Sequence, residues 1–144
     1  MTKHVRDVMT PSVRVASPSQ SLAEAADVMK DEDVGSVPVV DDGRLVGILT
    51  DRDIVIRAVA ERRDPQAVKV DEVASRELVT VEPEQDLDEA LTLMARHQVR
   101  RLPVVEGEQL VGMLAQADVA LEEKEKKVGE VLEEISKPTS TARE

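Results

Sequence analysis

The spacing of apolar residues changes along the chain in a fixed order, and the order occurs twice. Val13-Arg14-Val15 and Leu78-Val79-Thr80-Val81 are short runs that predict extended strands, ahead of Pro18 and Pro83. Leu22, Ala25, Ala26 and Met29, and later Leu87, Ala90, Leu91 and Met94, recur at helical spacing. Each helix is preceded by a capping box or a close variant, Ser21-Leu22-Ala23-Glu24 and Asp86-Leu87-Asp88-Glu89. Val37-Pro38-Val39-Val40 and Leu102-Pro103-Val104-Val105 are β-rich runs. Turn residues follow, Asp42-Gly43 in one case and Gly107 in the other. Return strands are predicted from Arg44 to Leu49 and from Gln109 to Leu114, then helices at about 51–60 and 116–127.

The order repeats because the sequence repeats. A shift of 65 residues lays the chain over itself without a gap from Val5 to about Ile56. Val5 falls on Val70, Pro18 on Pro83, Met29 on Met94, Pro38-Val39-Val40 on Pro103-Val104-Val105, and Asp53 on Asp118. About a third of the paired positions are identical. Two units are too few for a solenoid. A unit of this size also buries too little surface alone, so two halves packed face to face are expected. The first unit is read as residues 1–65 and the second as 66–121, with a charged extension over 122–144.

Composition narrows the chemistry. The core must be aliphatic, because the 144 residues include no Phe, Tyr or Trp. A planar ligand would be held between Val, Ile, Leu, Met and Ala rather than stacked on a ring. The formal charge of −11 repels nucleic acid and anionic membranes at long range, so neither is an expected partner. Without cysteine there is no disulfide or thiolate chemistry. The opening residues lack an apolar signal segment and no run approaches a membrane span, so a cytoplasmic location is expected. No P-loop or nucleophile motif is present, so no enzymatic activity is expected. His4 and His97 lack partners at metal-ligand spacing. Met29, Met94 and Met113 fall on core positions.

The proline-flanked first strand, the S/D-L-x-E-A helix start, V-P-V-V and the strand ends GILTDRD and GMLAQAD together resemble the CBS domain. Two copies over roughly residues 5–121 resemble a CBS pair, or Bateman module. Stretches such as TDRDIVIRAVAERRDP and HQVRRLPVV are similar to small stand-alone bacterial CBS-pair proteins, including the actinobacterial hypoxic-response type. The resemblance implies an α/β fold of two strand-helix-strand-strand-helix repeats about a pseudo-two-fold axis, and the apolar spacing beyond Leu121 adds a C-terminal helical tail. It also implies a homodimer and, in many members, an adenosyl ligand between the repeats.

Site residues follow from the same resemblance. Asp53 and Asp118 correspond to ribose-binding aspartates, and an ionised carboxylate suits two adjacent hydroxyl donors. Thr50 corresponds to a hydroxyl that contacts phosphate, at the start of a helix whose free N–H groups favour an anion. Arg100 and Arg101 stand where basic residues reach phosphate in the family. Their counterparts are Gly35 and Ser36, and Thr50 has become Ala115 in the second unit. If basic residues cross to the other repeat's cleft, Thr50, Asp53, Arg100 and Arg101 converge and the Asp53 cleft is the stronger site. AMP, ADP, ATP or S-adenosylmethionine is then a regulatory ligand, no cofactor is required, and output runs through an effector protein.

Plainer readings stand beside these. Thr50-x-x-Asp53 is also a helix cap with an acid in the first turn. The arginines also suit surface carboxylates. Arg52, Arg57, Arg62 and Arg63 form a basic run suited to solvent, a phosphate or an acidic partner. A stress-response or interaction module of the same fold without nucleotide is the alternative function. In the extension, Val128, Val131, Leu132 and Ile135 share one helical face among Glu and Lys. That face suits docking on the body or a partner chain, or a solvated helix.

Overall fold

The computed structural model describes residues 3–122. In chain order the elements are α1 (Val5–Val8), β1 (Thr10–Pro11), α2 (Leu22–Glu32), β2 (Ser36–Asp41), β3 (Arg44–Thr50) and α3 (Asp51–Ile54). A π-turn, Val55–Val59, continues α3, and a 3₁₀ turn covers Val70–Glu72. Then come α4 (Leu87–His97), β4 (Arg101–Glu106), β5 (Gln109–Ala115) and α5 (116–122). The extension read over 122–144 lies outside the described residues beyond Glu122.

Local sequence accounts for the elements. Ser21 Oγ accepts from the Glu24 N–H at 3.1 Å and starts α2. Asp86 precedes α4 without a side-chain cap; its carboxylate instead lies 3.9 Å from His4 Nε2. Asp42 and Gly43 both adopt positive φ, at 53° and 80°, as a two-residue type I′ hairpin turn requires. Equivalent bulges, at Val39/Val40 and Val104/Val105, interrupt the two hairpins.

The predicted first strands are shorter than expected. Ala16 alone bridges to Val39 and Val81 alone to Val104, in parallel fashion. Pro38 and Pro103 carry no N–H, so each bridge is limited to bonds on either side of a proline. Ala16 donates to the Pro38 carbonyl and accepts from Val40, both at 2.9 Å.

The repeats exchange their leading segments. Thr10 and Pro11 pair with Met113 and Gly112 of β5, while Ser75 pairs with Ile48 of β3. The Val5 N–H bonds the Gln85 carbonyl, and the Val70 N–H bonds the Gln20 carbonyl, both at 2.8 Å. Each contact has its counterpart at the 65-residue offset, which is the expected pseudo-two-fold relation. Glycine permits the crossing. A Cβ at Gly112 would meet the Thr10 carbonyl oxygen at 2.7 Å, and one at Gly47 would meet that of Ser75 at 2.9 Å.

Two aliphatic cores result. One contains Leu22, Met29, Leu49, Val68, Val70 and Val73; the other contains Val5, Leu87, Met94, Leu102 and Leu114. Val5 therefore sits in the second core, and Val70 and Val73 in the first. The hairpins join at their tips, where Arg44 pairs with Gln109 and Arg44 Nη1 meets Glu108 Oε2 at 3.2 Å.

Candidate ligand cleft

The antiparallel register of each hairpin decides which residues meet at its open end. Arg101 lies opposite Ala115, and Ser36 lies opposite Thr50. One step further, the Gln116 N–H donates to the Arg100 carbonyl at 2.8 Å, and the Asp51 N–H donates to Gly35 at 2.9 Å. The arginines thus travel with the Ala115–Asp118 corner of their own repeat. Gly35 and Ser36 travel with the Thr50–Asp53 corner.

A cleft of about 310 Å³ opens at the arginine-bearing corner. Arg101, Met113, Ala115, Ala117 and Asp118 form the wall from the second repeat. The first repeat supplies an apolar wall that includes Val13, Val28, Val34 and Val37, with Arg14, Glu32 and Ser36. The volume lies at the lower end of the range for small-molecule pockets. Both walls mix aliphatic residues with a few charges, which suits a ligand that has an apolar part and a polar part.

The sequence-based grouping set Thr50, Asp53, Arg100 and Arg101 together. Arg101 shares a cleft with Asp118, Ala115 and Ser36, whereas Thr50 and Asp53 are absent from its wall. The cleft draws on both repeats, with Ser36 of the first beside Arg101 and Asp118 of the second, and Ser36 and Arg101 are equivalent at the 65-residue offset. Arg100 is exposed and does not line the cleft.

At the other corner, the helix-capping reading is realised. Thr50 Oγ1 accepts from the Asp53 N–H at 3.0 Å, and Asp53 Oδ2 accepts from the Thr50 N–H at 3.2 Å. One carboxylate oxygen of Asp53 is thereby engaged in starting α3. Ala115 has no hydroxyl with which to build the same reciprocal box. Among the described residues, the carboxylate of Asp118 and the guanidinium of Arg101 have neither a hydrogen-bond nor an ion-pair partner. Arg14 does have one, Asp31 at 3.2 Å.

Arg14 and Glu32 were missed as cleft residues. The repeat did carry a signal, because their counterparts are Val79 and His97. A charged residue whose counterpart has other chemistry, Arg14 against Val79 and Glu32 against His97, marks a place where the two clefts differ.

Comparison with known proteins agrees with this fold. The CBS domain profile matches residues 5–59 and again 70–125. The chain belongs to the CBS-domain family. The CBS domain-containing protein YhcV of Bacillus subtilis is 50% identical over 117 residues, which cover 81% of this chain and 83% of YhcV. The crystal structure of Hypoxic Response Protein I, with two coordinated zinc ions, superposes with a TM-score of 0.77 at 38% identity. That match covers 83% of this chain and 98% of that one. CBSX2 in complex with AMP superposes with a TM-score of 0.76 at 27% identity, covering 87% of this chain and 98% of that one. CBS pairs are regulatory modules rather than catalysts. Among the described residues, no group of three or more His, Cys, Asp or Glu is placed to hold a metal ion. No described helix is long and apolar enough to cross a membrane.

Proposed function

We propose that the cleft beside Asp118 binds an adenosyl ligand of the AMP, ADP or ATP type, and that the chain is a regulatory sensor. The observation that carries this reading is that Asp118 and Arg101, neither of which has a hydrogen-bond or ion-pair partner among the described residues, line one largely aliphatic cleft. The free carboxylate offers two acceptor oxygens to the adjacent ribose hydroxyls. The planar guanidinium of Arg101 suits a phosphate. Val13, Val28, Val34 and Val37 offer apolar surface to the base. That the related CBSX2 is solved with AMP supports the same ligand class.

Both repeats contribute walls, so a ligand seated there would bridge them. It would shift their arrangement only by its difference in affinity for the two arrangements. A homodimer and a separate effector protein complete the proposed signalling unit, located in the cytoplasm.

Calorimetric titration of the full chain with AMP, and separately with ATP, tests the proposal. Asp118→Ala is expected to abolish binding, Arg101→Ala to weaken it at least tenfold, and Asp53→Ala to leave it within about threefold. Binding that survives Asp118→Ala but is lost in Asp53→Ala would contradict the proposal. So would the absence of heat with any adenosyl ligand, which would favour the nucleotide-free interaction module.

A further inference from the structure

The charges around the cleft beside Asp118 nearly cancel. Its walls carry two cations, Arg14 and Arg101, and two carboxylates, Glu32 and Asp118. Arg14 is already engaged, because Asp31 Oδ2 lies 3.2 Å from its Nη1. Glu32 has no hydrogen-bond or ion-pair partner among the described residues. Arg101 is thus the one cation of the lining that is unpaired among the described residues, and two carboxylates share the cleft with it.

Glu32 also stands where its helix disfavours it. Asp31 and Glu32 close the last turn of α2, and the partial negative charge at a helix C-terminus favours cations there. At the 65-residue offset α4 ends on Arg96 and His97, as the dipole prefers. The sign of the charge is therefore reversed between equivalent positions. A local preference broken in one repeat only, on the wall of a cleft, points to a task in that cleft.

We propose, resting on the adenosyl reading of this cleft, that Glu32 restricts it to ligands with a single phosphate. One guanidinium matches one phosphate in a two-pronged contact. The β- and γ-phosphates of ATP add negative charge, and with Arg14 held by Asp31 the lining offers them no second unpaired cation. A cavity of about 310 Å³ is only about one Debye length across at physiological salt, ~8 Å. The carboxylate of Glu32 therefore repels the whole phosphate chain, and each added charge raises the cost. AMP is favoured over ATP.

Calorimetric titration of the full chain with adenosine, AMP and ATP, each in metal-free buffer, tests this. The wild-type chain is expected to bind AMP at least about tenfold more tightly than ATP. Glu32→Gln should tighten ATP at least about fivefold, AMP less and adenosine least, and the gain should shrink at high salt. Asp31→Asn, which releases Arg14, should narrow the difference between AMP and ATP as well. Two results overturn the inference and leave the adenosyl reading standing: ATP bound by the wild type as tightly as AMP, or a Glu32→Gln effect equal for all three ligands. No binding of any of the three to the wild type overturns both.

Discussion

Gly47 and Gly112 show how a single missing Cβ lets the repeats interlock. Backbone carbonyls approach the sites of their absent Cβ atoms to 2.9 and 2.7 Å, and a carbonyl in a paired strand has little room to yield. Gly112→Ala and Gly47→Ala are each expected to cost about 1–3 kcal/mol in urea unfolding, the usual range for overpacking. The two corner threonine positions differ in kind. Thr50→Ala removes a cap from α3 and is expected to cost about 0.5–2 kcal/mol. The second repeat already carries Ala115 there, and among the described residues Asp118 has no hydrogen-bond or ion-pair partner. The glycines and aspartates were legible because the repeat preserves them. The place of Arg14 and Glu32 in the cleft was not. A repeat says which positions are equivalent, but strand register decides which side chains meet.

At the scale of elements, each repeat opens with a short turn held by an acid three residues on. Asp7 Oδ2 accepts from the His4 N–H at 2.9 Å, and Glu72 Oε2 accepts from the Lys69 N–H at 2.8 Å. These backbone hydrogen bonds hold both carboxyls below the ordinary carboxylate range, with Arg63 adding to the effect on Glu72. A depressed pKa contributes stability that is present above the unfolded-state value and lost as pH falls through the folded-state value. The denaturation midpoint should therefore fall with pH across and below the carboxylate range. Asp7→Asn with Glu72→Gln should flatten that acid limb, and an unchanged limb would contradict the assignment. The two turns were not anticipated from the pattern, since four residues are too few to show a helical period. The helices α2 and α4 were anticipated, because each sustains its apolar stripe over three turns. The predicted first strands shrank to bridges because proline on the neighbouring strand withholds the next donor.

At the scale of the molecule, the two cores depend on each other. Val5 is fully buried in the second core, although it leads the first repeat in sequence. Val5→Asp is expected to raise amide exchange in β4, β5 and α4 more than in α2, despite its distance from them along the chain. Exchange raised only in α2 and β2 would contradict the crossed arrangement. The duplicated fold was legible from the offset, but this exchange of leading segments was not. Nothing in an offset says whether a segment packs on its own unit or on its twin. The same crossing brings Val13 and Arg14 of the first repeat to the wall that faces Asp118.

The cleft is the centre of the account, and a crystal structure grown with AMP tests it most directly. The ribose hydroxyls are expected on the Asp118 carboxylate, the phosphate on Arg101, and the base among Val13, Val28, Val34 and Val37. Thr50 and Asp53 should still close their capping box. AMP bound instead at Asp53 with that box opened, or no AMP in the Asp118 cleft at saturating concentration, would contradict the account.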